Sequence, residues 1–160
     1  MTPITISLTV NGVARECDVA PSSVLADVLR DSLGLQGCKI ACDQSVCGAC
    51  TVLVDGDPVA ACSSFAFASD GCAITTVEGL QQDGILHAVQ SSFLESAAFQ
   101  CGFCTSGMIL SIVALLRSHP DPDDDTIRDW LGGNVCRCTG YGAIVAAVRR
   151  AVPALALERA

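Results

Sequence analysis

At 160 residues and 16.5 kDa the chain has room for one ordinary domain or two small ones, and its 51% hydrophobic content excludes an intrinsically disordered protein. Nine basic against seventeen acidic residues give a formal charge of −8, which excludes a cationic surface for nucleic acid; only 16% of residues are charged, against about 25% in a typical soluble domain, as befits a chain that hides surface against another subunit. The longest apolar run, Gly107 to Leu116, is half the length of a membrane span, and the first residues alternate like a strand with no basic leader, so a cytoplasmic protein with no membrane span is expected.

Ile4, Ile6, Leu8 and Val10 alternate with Thr5, Ser7 and Thr9, the period of a half-buried strand. Asn11-Gly12 tolerates the positive φ angles of a tight hairpin turn, and Val13 to Val19 returns as a second strand. Ser22 or Ser23 is placed to cap a helix over Val24 to Leu33, which Gly34 ends and whose Val24, Leu25, Val28 and Leu29 share a face. A loop rich in cysteine and glycine, Gly37 to Cys50, leads into a strand Thr51 to Val54, the turn Asp55-Gly56, a strand Val59 to Cys62 and a last strand Cys72 to Val77. Residues 1–79 thus read as a small α+β sheet crossed by one helix. The pattern changes at 78–83, and helical periodicity then predicts helices over about 84–97, 104–118, 124–132 and 141–152, an all-α four-helix domain over residues 80–160. The acids Asp121, Asp123, Asp124 and Asp125 read as a solvated helix start, where negative charge suits the dipole.

Eleven cysteines dominate the composition, and an odd count without an export signal argues for metal ligation over disulfides. Cys42, Cys47 and Cys50 form C-x4-C-x2-C, the spacing of plant-type [2Fe–2S] ferredoxins, and Cys62 follows beyond the Asp55-Gly56 turn as a fourth thiolate. Two irons and their bridging sulfides need thiolates from several directions, so the loop must wrap a compact anion. Gly48 and Ala49 are small enough to let backbone N–H groups approach the sulfurs. A zinc site is the competing reading, but zinc loops place their cysteines in two close pairs, which three cysteines within nine residues fit poorly. Farther along, Cys101 and Cys104, thirty-one intervening residues, then Cys136 and Cys138 make C-x2-C and C-x-C. Each pair falls at a helix end, where free amides can face an anionic cluster; by spacing alone, zinc stays a competitor here.

The stretches CDQSVCGACTVLVDG, QCGFCTSGM and GNVCRCTGYGAIV closely resemble the iron–sulfur small subunit of the molybdenum hydroxylases, the family of xanthine dehydrogenase and carbon monoxide dehydrogenase, and the likeness runs from about residue 3 to 150. The resemblance implies a ferredoxin-like (β-grasp) domain holding one [2Fe–2S] cluster on Cys42, Cys47, Cys50 and Cys62, then a four-helix domain holding a second on Cys101, Cys104, Cys136 and Cys138. It implies an electron-transfer subunit with no substrate chemistry of its own, partnered by a molybdopterin-binding large subunit and an FAD-binding medium subunit. Electrons would run from the molybdopterin site through both clusters to FAD or an external acceptor. By the same likeness Gln100 hydrogen-bonds the pterin and Cys138 lies close to it. The chain departs from the family at Cys38, where threonine is usual, and at Ser106 and Ala88, where proline is usual; none of these removes a ligand. A free-standing two-cluster ferredoxin and a zinc-stabilised interaction module are the alternatives.

Of the remaining cysteines, Cys17 and Cys72 read as small buried hydrophobes in strands and Cys38 as a passive loop residue. His87 reads as a packed, hydrogen-bonded imidazole on a helix and His119 as an exposed helix-end residue. Arg137, between two predicted ligands, either offsets cluster charge or meets a cofactor phosphate. The helix from Thr105 to Leu116 is apolar nearly all round, which fits a bundle core, a partner contact or both. No nucleophile–base pair, phosphate loop or dinucleotide fingerprint appears, so no catalytic residue is expected.

Overall fold

The structure is a computed structural model that describes residues 2–158. Strands β1 (Ile4–Val10) and β2 (Val13–Val19) pair antiparallel from Ile4↔Val19 to Val10↔Val13 around Asn11 and Gly12, which both take positive φ. Strands β3 (Thr51–Val54), β4 (Asp57–Ala60) and β5 (Ala73–Thr75) complete a five-stranded sheet in the order β2-β1-β5-β3-β4, with β5 parallel to β1 and antiparallel to β3. The alternation anticipated for β1 buries Ile6, Leu8 and Val10, the face on which the helix lies.

That helix differs from the sequence expectation. Its first turn, α1 (Leu25–Asp27), widens into a π-helical turn over Val28–Ser32, and its N-cap is Val24, with no side-chain cap from Ser22 or Ser23. Tertiary carbonyls replace the cap: Leu25 N–H donates to Ser64 O at 2.7 Å and Ala26 N–H to Ala61 O at 3.1 Å. The helix start is thereby tied to the segment carrying Cys62. The wide turn keeps Leu25, Val28 and Leu29 on the sheet and sends the Arg30 guanidinium to Cys38 O, at 2.7 Å, at the approach to the first cysteine loop.

The strand predicted over Val59 to Cys62 lies earlier, at β4, because Asp55 and Gly56 both adopt positive φ and close a two-residue turn that pairs Val54 with Asp57. The last strand stops at Thr75 because Asn11 brackets Thr76, its Nδ2 donating to Thr76 Oγ1 and its Oδ1 accepting from Thr76 N–H, both at 2.9 Å. At its other end Cys72 lies just before β5, half-buried, with its N–H donated to Ser69 O at 3.0 Å, whereas Cys17 is buried within β2.

Helices α2 (Ala88–Glu95), α3 (Thr105–Ser118), α4 (Asp124–Leu131) and α5 (Tyr141–Glu158) form the second half. The first is shorter than the expected 84–97, because His87 caps it: Nδ1 accepts from Val89 N–H while Gln90 Oε1 reaches back to His87 N–H. His87 is thus a cap and not a residue within the helix. Asp123 caps α4 by accepting from Thr126 N–H at 2.8 Å, and the Thr126 hydroxyl together with this N–H holds its carboxyl below the usual range. The last helix runs past the expected end at 152 and through Pro153, with Ala151 buried and Val152 and Leu155 packed on the bundle core. His119 is exposed, as anticipated, edge-on to Trp130.

The all-round apolarity of α3 has an internal explanation. One side packs in the bundle with Phe93, Ile127, Ile144 and Val148; another meets β3, where Leu110 and Ala114 bury Leu53 beside Trp130. Arg117 pairs with Asp57 at 3.1 Å at the end of the same contact. One helix therefore serves two cores. Leu110→Ala should lower the unfolding free energy by about 2–5 kcal/mol, read from urea denaturation, whereas a near-wild-type midpoint would show that the two halves share no core there.

Candidate metal centres

The first cysteine loop coils inward because Asp43, Ser45 and Gly48 all take positive φ, which turns successive amides to one side. The N–H groups of Gln44, Cys47 and Val46 point at the Cys42 sulfur, the last two at 3.3 and 3.4 Å. They hold the Cys42 thiol down at about 6, which favours the thiolate. Its thiol neighbour is Cys47. Cys50 neighbours Cys62, which also donates its backbone N–H to Cys50 Sγ at 3.5 Å. Both lie in the sheet core, and burial pushes the Cys50 thiol up to about 12.

The second group has the same asymmetry. Cys138 S–H donates to Cys101 Sγ at 3.5 Å near the surface, and the Phe103 amide pulls the Cys101 thiol down. Cys104 and Cys136 form the inner pair, and burial pushes Cys104 up to about 12. Gly140 N–H donates to Cys136 Sγ at 3.4 Å. Gln100 is exposed, and its Nε2 donates to Cys138 O at 3.0 Å, which ties the QCGFC segment to the CRC segment.

All eight predicted ligands are thus gathered two by two: 42 with 47, 50 with 62, 101 with 138, and 104 with 136. Paired thiols suit a diiron cluster, which takes four thiolates on two irons. The chemistry of the donor set fits as well, because a buried thiol such as Cys50 or Cys104 ionises only where metal charge offsets its desolvation. The hydroxyl oxygens of Thr105 and Ser106, next to Cys104, are buried without a hydrogen-bond partner, and an anionic cluster would supply one.

Sequence reasoning passed over the residues that join the two loops. Val135 N–H donates to Cys47 O at 2.8 Å, and the buried Asn134 donates its Nδ2 to Gly48 O at 3.0 Å. Gly107 lies so close to the Gly48 carbonyl that a methyl group would overlap it. Tyr141 Oη donates to Asn134 O and accepts from Cys136 N–H. The GNVCRC and CTGY stretches contain these residues, but nothing local marks them as reaching residues 47 and 48.

Two described families match the chain, a "2Fe-2S iron-sulfur cluster binding domain" over residues 8–80 and a "[2Fe-2S] binding domain" over residues 76–149. The nicotinate dehydrogenase small FeS subunit of Eubacterium barkeri is 49% identical over 152 residues, covering 95% of this chain and 97% of that one. The chain belongs to the iron–sulfur subunits of the molybdenum hydroxylase family. Quinoline 2-oxidoreductase from Pseudomonas putida 86 superposes with a TM-score of 0.93 at 45% identity, over 99% of this chain and 98% of its own. Aldehyde oxidoreductase from Desulfovibrio desulfuricans matches with a TM-score of 0.91 at 42% identity, covering 96% of this subunit but 17% of that longer chain. The α+β ferredoxin-like part followed by a helical cluster-binding part is therefore the arrangement of the family.

Cys38 is 2% exposed, and its S–H donates to Cys50 O at 3.5 Å. Burial pushes its thiol up to about 11, although the Arg30 guanidinium opposes this. A hydroxyl at this position could make the same bond. Cys38→Ser in the subunit should keep the full iron content and change stability by about 1 kcal/mol or less, checked by iron analysis and urea denaturation; loss of iron would make Cys38 a ligand.

Proposed function

We propose that Cys42, Cys47, Cys50 and Cys62 hold one [2Fe–2S] cluster within residues 1–79, and that Cys101, Cys104, Cys136 and Cys138 hold a second within residues 80–160, in an electron-transfer subunit of a molybdenum-dependent hydroxylase. One observation carries the reading: four close thiol pairs, two in each half of the chain. When bound, such clusters supply one-electron storage and transfer, at potentials raised by amide hydrogen bonds to sulfur. The chain's own residues orient, shield and connect. The amides around Cys42 favour a more negative centre, and the sheet core keeps water from Cys50 and Cys62. One hydrogen bond, Val135 N–H to Cys47 O, and the Val135–Cys136 peptide lead from a proposed ligand of one centre to a proposed ligand of the other.

Each centre opens on an apolar rim. Val46 is 61% exposed beside the first, and Phe99 and Phe103 are 41% and 45% exposed beside the second. On this reading an FAD-binding medium subunit covers the first rim and a molybdopterin-binding large subunit covers the second, where Gln100 hydrogen-bonds the pterin near Cys138. Electrons then enter from the molybdopterin side and leave to FAD or an external acceptor. Substrate selection belongs to the partner. No helix among the described residues is long and apolar enough to cross a membrane, and a cytoplasmic location is proposed.

Iron analysis of the assembled complex should give about four irons per chain, with two distinguishable reduced signals by electron paramagnetic resonance. Zinc in place of iron, or one cluster only, would overturn the reading. Cys138→Ser should abolish the second signal and spare the first, because Cys138 stands on the Gln100 side of its loop, away from the contact with residues 47 and 48. Joint loss of both signals would contradict separate sites.

A further inference from the structure

The two cysteine loops touch through a short chain of hydrogen bonds that centres on the buried Asn134. Cys136 N–H donates to Tyr141 Oη at 2.8 Å, and the same hydroxyl donates to Asn134 O at 3.2 Å. Asn134 is 4% exposed, and its Nδ2 crosses to the first half to meet Gly48 O at 3.0 Å. That carbonyl is held from its own side by Thr51, through Oγ1 at 2.7 Å and N–H at 3.2 Å. Gly48 has no room to shift: it has a φ of +67°, and a Cβ there would overlap Asn134 and the Gly133 carbonyl, while Gly107 closes on its oxygen from α3.

From this geometry we infer that Asn134 and Tyr141 are positioning residues that fix the separation and orientation of the two cluster loops. The inference rests on the two-cluster reading. A buried carboxamide whose donor has one partner cannot let that partner go without an uncompensated N–H. The side chain of Asn134 therefore ties the loop between Cys47 and Cys50 to the loop that carries Cys136. Tyr141 braces that second loop from within, because its single hydroxyl holds the Cys136 backbone and the Asn134 carbonyl together and so fixes Cys136 relative to the Asn134 tie. Neither residue touches a predicted ligand's sulfur through its side chain, so their role is to set distance. Distance is what electron passage between two centres depends on most steeply.

The test uses the assembled complex carrying Asn134→Leu, which keeps the volume and removes the donor, or Tyr141→Phe, which removes one hydroxyl. Magnetic coupling between two reduced clusters falls with the cube of their separation, so the splitting in low-temperature electron paramagnetic resonance reads the spacing directly. Full iron content with an altered splitting is the expected result. Iron lost from the first cluster, through a substitution in the second half, would equally establish the tie. Full iron content with wild-type splitting in both variants would overturn the inference, as would iron loss confined to the second cluster in both. Should Asn134→Leu fail to fold, Tyr141→Phe decides alone by the same criteria. A wild-type complex with fewer than two clusters would instead sink the two-cluster reading beneath it.

Discussion

A thiolate is a poor thing to bury, and the whole chain is arranged around that constraint. Iron binds the anion, so each centre must offer sulfur that is ionised, or can become so, in surroundings that also exclude water. The two halves reach the same solution. An outer thiol, Cys42 or Cys101, is held down by backbone N–H groups, and an inner one, Cys50 or Cys104, is pushed up to about 12 by burial. On the proposed reading the outer sulfur would meet the metal first, and the inner one would give up its proton when positive charge arrives. Metal binding and completion of the core would then be one event, which suits halves of about 80 residues whose cores are small.

The scaffold serves these sulfurs by small departures from regularity. The π turn in the first helix sends Arg30 to the Cys38 carbonyl, and the uncapped start of that helix donates its amides to Ala61 and Ser64, either side of Cys62. Three positive-φ residues within Cys42 to Cys50 aim the loop amides inward. Each of these conformations costs local energy, and each delivers a donor or a sulfur to the same place.

The halves are not merely strung together. Leu110 and Ala114 of the central helix share a core with Leu53 of the sheet, and the loop contacts through Gly48, Asn134 and Val135 lie at the same junction. On the proposed reading, such a junction would keep the two redox centres at one spacing. Three of the exposed apolar residues, Val46, Phe99 and Phe103, stand beside the proposed ligands instead, where a partner surface would complete the shielding.

The amino-acid sequence by itself determined the two cysteine quartets, the α+β-then-helical order, the hairpin turns at Asn11-Gly12 and Asp55-Gly56, and the family, because each is written in residues close together in the chain. Element ends were less legible: the first helix found its cap in the carbonyls of Ala61 and Ser64 and not in Ser22 or Ser23, and the last ran through Pro153 because packing against α2 outweighed one lost hydrogen bond. Cys72 fell outside its predicted strand because its N–H closes the preceding turn on Ser69 O, at 3.0 Å. Only the tertiary structure decided which thiols pair, that α3 spends its apolar surface on two cores within the chain, and that Asn134 reaches Gly48. Apart from the pairs within the first loop and its hairpin, those outcomes join residues tens of positions apart, and no local period or spacing encodes a contact whose partner is set by how two separate elements pack.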